Sequence, residues 1–184
     1  MRFFIDCEFN AEIGPTMELI SIGIAAEDGR TYYAVSSEFD PDKCSDWVKE
    51  NVFPKLGVPE FCSGGLMPDP LIVPKTLIEM RKEINEFVTG ATPEFWGYFA
   101  AWDWLLLGQH IMGGMLSLPK TWPHLCMDVK QYQRHLGAKA FTPLARALEH
   151  NALNDAIWTK EYWEYLNAIE HGSPRDERRH GSHF

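Results

Sequence analysis

The chain opens on an apolar run, "RFFIDCEFN", into which two carboxylates are set. Alternate side chains of a strand share a face, so Asp6 and Glu8 point one way and Ile5, Cys7 and Phe9 the other. Residues 2–9 read as a short, fully buried strand. "MELISIGIAAEDGRTYYAVS" (17–36) reads as two strands joined at Asp28-Gly29, a hairpin signal, with Leu19, Ser21, Gly23 and Ala25 alternating against Ile20, Ile22 and Ile24. Residues 40–56 carry helix signals: Asp40 as cap, Pro41 in the first turn, and a stripe of Trp47, Val48 and Val52. The Pro- and Gly-rich stretch 57–74 is a loop, and Pro74 opens a helix whose stripe is Leu77, Ile78, Met80, Ile84 and Phe87.

Further along, "PEFWGYFA" (93–100) predicts a strand, and 101–114 a helix ending at a glycine pair. Residues 124–129 are β-like and lead into a helix over 129–136. "TPLARALEH" (142–150) reads as a helix. The last helix, 154–172, turns Ile157, Tyr162, Tyr165 and Ile169 inward. Residues 173–184 are polar, have no stripe, and read as a disordered tail behind a single domain over 1–172. A strand meander followed by helices alternating with further strands predicts an α/β domain with a mixed sheet, the element order of ribonuclease-H-like folds.

Composition narrows the class. A chain of 184 residues with 45% hydrophobic and 23% charged residues is long enough for one full-sized core. No apolar run reaches the roughly 20 residues of a membrane span, and the acidic N-terminus is not a signal peptide, so a cytoplasmic location is expected. Four cysteines (7, 44, 62 and 126) form no CxxC pair and read as thiols rather than a zinc ribbon. A formal charge of −9 argues against a broad basic nucleic-acid surface. It leaves room for a nucleic-acid substrate if bound cations carry the charge that meets the phosphate.

With 26 acidic residues, a D-x-E pair arises by chance, usually on a solvated strand face. Here the apolar flanks weaken that reading. Two buried like charges repel, and a divalent cation relieves both the repulsion and the burial; hard oxygen ligands suit magnesium or manganese. Asp103, between Trp102 and Trp104 at a helix start, is on its own no more than a favourable dipole contact. In "EHNALNDA" (149–156), His150 and Asp155 would stand about 140° apart on an unbroken helix. A break capped by Asn151 or Asn154 instead puts Asp155 in a first helical turn with His150 just before it. His150 then reads either as structural or as a general base beside a metal ligand.

Asp6-x-Glu8, Asp103 and His150-x4-Asp155 resemble, in type, order and spacing, the DEDDh 3′–5′ exonucleases, whose H-x-A-x-x-D-A signature "HNALNDA" is similar to. Over most of residues 1–160, "FFIDCEF" and "ELISIGIAAEDGRTYYAVSSEFDP" resemble the small bacterial and phage polyadenylate-specific exoribonucleases, the exoribonuclease AS group. The resemblance implies two magnesium ions, or manganese, held by Asp6, Glu8, Asp103 and Asp155, with His150 taking the proton from the attacking water. It further implies release of 5′-nucleoside monophosphates from single-stranded RNA, an adenylate preference and a homodimer. Phe9 reads equally as a base-stacking surface and as a core aromatic; Glu18 is a candidate acceptor for an exocyclic amine, and Trp102 a candidate groove wall. DNA, short oligonucleotides, or binding without catalysis are the competing readings.

Overall fold

The computed structural model describes residues 1–11, 17–61, 69, 71–89, 92–145 and 148–172. The expected tail at 173–184 and residues 62–68 and 70 of the 57–74 loop lie outside the described residues. The first strand, β1 (Arg2–Asn10), is central. It pairs antiparallel with β2 (Glu18–Ala26), which pairs antiparallel with β3 (Thr31–Val35). On its other side β1 pairs parallel with β4 (Glu94–Gly97), and β4 with β5 (Cys126–Asp128). The sheet order is β3-β2-β1-β4-β5, a mixed sheet of the ribonuclease-H-like α/β class.

The alternation in β1 sorts its residues as expected. Phe3, Ile5 and Cys7 enter the core under α2 (Leu77–Phe87) and α3 (Ala101–Leu106), whereas Phe4 enters the opposite core under α4 (Val129–Leu136) and α5 (Ala152–Glu170). A bulge between Glu8 and Phe9 shifts the register at the end of the strand. The parallel pairing with β4 runs from Arg2 to Phe4, and among the described residues β1 has no strand partner on that side beyond Phe4.

α5 lies across the face of β1 and β2 that carries Asp6 and Glu8. Tyr162 and Leu166 are fully buried there, each such side chain contributing about 1.5–3 kcal/mol. At the other end of the contact, Lys160 Nζ donates to the carbonyl of Ala26 at 3.0 Å. The first turn of α5 comes down on Gly23, the residue paired with Asp6. A Cβ at position 23 would lie 2.2 Å from the carbonyl oxygen of Ala152, closer than any side chain can stand.

Several expectations are corrected. The 40–56 segment is not one helix: Asp40 and Pro41 open a 3₁₀ turn (Pro41–Lys43), Ser45 caps α1 (Asp46–Asn51), and a second 3₁₀ turn follows (Phe53–Lys55). Trp47, expected in the core stripe, is 53% exposed. α2 starts three residues after Pro74, because Thr76 and Glu79 form a capping box, and Ile78 faces solvent. α3 passes into a π-turn (Leu107–Ile111) before the glycine pair, where Gly113 and Gly114 take positive φ. No helix forms over the described part of 142–150. The carbonyl of Thr142 accepts from the Trp158 indole at 2.8 Å, and Phe141 packs on Tyr162, which holds this stretch against α5 in a non-helical course. Among the described residues, no helix is long and apolar enough to cross a membrane.

Replacing Gly23 with alanine should lower stability by about 1–3 kcal/mol, the usual cost of forcing atoms into a packed contact. Urea denaturation reads it; an unchanged midpoint would mean that α5 is not seated on this position.

Candidate active site

Asp6 and Glu8 leave β1 on one face, and Asp155 meets them from the first turn of α5. One carboxylate oxygen from each of the three lies within 4.8 Å of the others. The expected break before the last helix is present: Asn151 caps α5, its side chain accepting from the Asn154 amide at 3.2 Å. The helix dipole then puts its positive end beside the three acids.

Burial and mutual repulsion act on these groups together. Asp6 is pushed well above the usual carboxyl range, first by desolvation and then by Asp103, Glu8 and Asp155. Desolvation, with Asp155 and Asp103, raises Glu8 to about 8. Desolvation raises Asp155 to about 6, although the backbone amides of His150 and Asn151 pull it back. Asp155 Oδ2 is buried without a hydrogen-bond partner. Clustered carboxylates with an orphaned buried oxygen are the donor set of a hard divalent cation.

Asp103 is buried beside this trio rather than in it. Its Oδ1 accepts from the Cys7 amide at 2.8 Å, a donor left without a strand partner because β4 stops short. Desolvation raises it to about 7 against that hydrogen bond. Its helix is set by Asp128, whose carboxylate accepts from the Ala100 amide at 2.8 Å and caps α4.

His150 sits at φ 64°, a left-handed conformation rare outside glycine. Its ring meets Trp47 edge to face, centroids 4.9 Å apart. Burial, and then the nearby Lys55, hold its pKa below the ordinary histidine value. Trp47 also lines a cleft of about 370 Å³ together with Glu8, Phe9, Ala11, Ser45 and Val48. Phe9 is partly buried and stacks on the exposed ring of Trp102, centroids 6.4 Å apart. Two rings of the cleft lining thus have aromatic partners behind them: Phe9 meets Trp102, and Trp47 meets His150. Trp104, the neighbouring tryptophan, is in the core.

Glu18 does not line this cleft. It stands at the start of β2 opposite Asn10 and accepts from the Asp40 amide at 3.5 Å. The loop between β1 and β2, residues 12–16, lies outside the described residues. Trp47 and Lys55 are the site residues that sequence reasoning missed: the tryptophan fitted a helical core stripe, and nothing local in "FPKL" marks the lysine.

The sheet order and the converging acids define an α/β domain of the ribonuclease-H-like class with a carboxylate centre suited to metal. No family model matches the chain. Two curated proteins of Mycobacterium tuberculosis do: 3′-5′ exoribonuclease Rv2179c (strain H37Rv) and 3′-5′ exoribonuclease MT2234.1 (strain CDC 1551). Each is 38% identical over 159 residues, covering 85% of this chain and 87% of the relative. A chain from a structure of the yeast NOT1 MIF4G domain co-crystallised with CAF1 shares the fold, with a TM-score of 0.51 over 92% of this chain and 80% of that one, at 13% identity. The chain belongs to the 3′–5′ exoribonuclease family that the two mycobacterial proteins represent.

The pH dependence follows from the acids. Each binds its proton more tightly in the folded chain than in the unfolded one. Their folded-state advantage is complete below about pH 4, the ordinary carboxyl range, and is lost as pH rises through about 6 to 8. In chelator, Tm should fall across that window, and Mg²⁺ or Mn²⁺ should flatten the fall by binding the ionised set. A chelated protein whose Tm is level between pH 6 and 8 would contradict the repulsion described here.

Proposed function

We propose that this protein is a divalent-metal-dependent 3′–5′ exoribonuclease of the DEDDh type, releasing 5′-nucleoside monophosphates from single-stranded RNA. The observation that carries the reading is the meeting of Asp6, Glu8 and Asp155, with one buried carboxylate oxygen unpartnered, in a member of an exoribonuclease family. Asp6, Glu8 and Asp155 would hold a first cation, and Asp6 with Asp103 a second. Two such cations, magnesium or manganese, supply positive charge to the attacking and leaving oxygens of a phosphodiester displacement.

The chain's own residues do the rest. His150, kept unprotonated by its surroundings near neutral pH, takes the proton from the attacking water. The cleft brings the terminal nucleotide up to Glu8, with Phe9 and Trp102 as an aromatic wall for its base; such stacking is worth about 1–3 kcal/mol per base. Glu18, which stands outside the cleft lining, is the candidate for an adenine exocyclic amine: among the described residues its carboxylate accepts a long hydrogen bond from the Asp40 amide. The adenylate preference and the homodimer belong to the same reading through the family resemblance.

The test is a 5′-labelled, adenylate-tailed single-stranded RNA and its DNA counterpart, incubated with magnesium. A descending ladder on RNA is expected, abolished by chelator. Asp6→Asn should lose more than the roughly 10–100-fold that removing a hydrogen-bond partner of a metal ligand costs. Shortening of DNA alone would move the activity to DNA; no shortening of either would leave a binding module. On tails of different base, Glu18→Ala should level the rates, and an unchanged adenylate preference would remove Glu18 from base recognition.

A further inference from the structure

His150 occupies a strained backbone position, and such positions persist only where the surroundings fix them. What fixes this one comes from a segment nearly a hundred residues earlier. The 3₁₀ turn Phe53–Lys55 is anchored in the core by Phe53 and Leu56, and the Tyr33 hydroxyl donates to the Leu56 carbonyl at 3.3 Å. From that anchored turn, Lys55 reaches the His150 turn in two ways. Its ammonium donates to the carbonyl of Glu149, and its own carbonyl accepts from Asn151 Nδ2 at 2.8 Å. The residues on both sides of His150 are thus tied to one lysine, while Trp47 meets the imidazole itself.

We propose that Lys55 is a positioning residue for the proton-accepting histidine: its ammonium latches the Glu149 carbonyl, and this fixes where the His150 ring stands against Trp47. The inference rests on His150 as the base, as argued above. Its two bonds separate by substitution. The backbone bond to Asn151 survives any side chain at position 55, so the cap of α5, and with it Asp155, stays in place. What goes with the ammonium is the tie to Glu149 and a positive charge near Glu8, His150 and Asp155, and Lys55→Arg restores that charge.

The experiment compares wild type, Lys55→Met, Lys55→Arg and His150→Ala. Lys55→Met should lower kcat by about 10²-fold, the scale of an ångström-sized misplacement of a reacting group, with KM within about threefold of wild type. Lys55→Arg, which keeps a cationic donor for the carbonyl, should recover most of the rate. Binding of Mn²⁺ alone, read by calorimetry, should hold within about threefold in both lysine variants. Hydrogen exchange of the peptide covering residues 148–151 should rise in Lys55→Met and not in Lys55→Arg. This last readout needs no RNA, so it decides the latch even if the substrate is another nucleic acid. Unchanged exchange and kcat in Lys55→Met would overturn the proposal. Tighter Mn²⁺ binding with kcat retained would replace it with a role as a charge opposing cations. Full activity in His150→Ala would overturn both the base assignment and the latch, whereas its inactivity beside an unaffected Lys55→Met would overturn the latch alone.

Discussion

The carbonyl of Ala152 rests where a side chain at position 23 would have to be, and the rest of the site depends on that contact. Gly23 pairs with Asp6 across the sheet, so the gap it leaves is next to the first acid. The start of α5 fills it and carries Asp155 to Asp6 and Glu8. The long apolar contact of α5 with the sheet supplies the binding energy, but the missing Cβ sets the height at which the helix begins. Without it, a helix of the same sequence would ride higher and its carboxylate would miss the other two.

Such convergence works against the folded chain when no cation is bound. Burial and like charge both raise the carboxyl pKa values, and one Asp155 oxygen has no partner to offset its loss of water. Core residues do not arrange charges in this way for stability; sites that hold ions do. Beside Glu8, the cleft is lined by Phe9 from β1 and Trp47 from α1, and each ring meets an aromatic group from a distant element: Trp102 of α3 and His150 before α5. The cleft is therefore a product of packing between segments rather than of any single motif.

Much of this was legible in the chain. The alternation of "FFIDCEFN" placed Asp6 and Glu8 together, and the asparagines placed the start of the last helix. Helix α4 begins and ends where its pattern says. Other features were decided by partners far away in sequence. "TPLARALEH" has helical residues, but the carbonyl of Thr142 is taken by the Trp158 indole. Trp47 fitted a core stripe, yet its ring faces the cleft, because its short helix packs through Val48 instead. Asp103 looked like a simple dipole contact and is also the hydrogen-bond partner of the Cys7 amide, beyond the end of the pairing with β4. No local pattern foretells that Lys55 will meet Glu149; the pair exists only once α5 has docked.

The docking of α5 also bears on the chain during its synthesis. Translation delivers Asp6 and Glu8 first, then Asp103 about a hundred residues later, and Asp155 only near the end of the described fold. The last carboxylate is fixed in place by packing that reaches as far as Leu166. Until that helix has left the ribosome, the growing chain lacks the arrangement that joins the three acids. A nascent polypeptide of this sequence thus carries its first acids apart from their partner until synthesis has passed beyond Leu166.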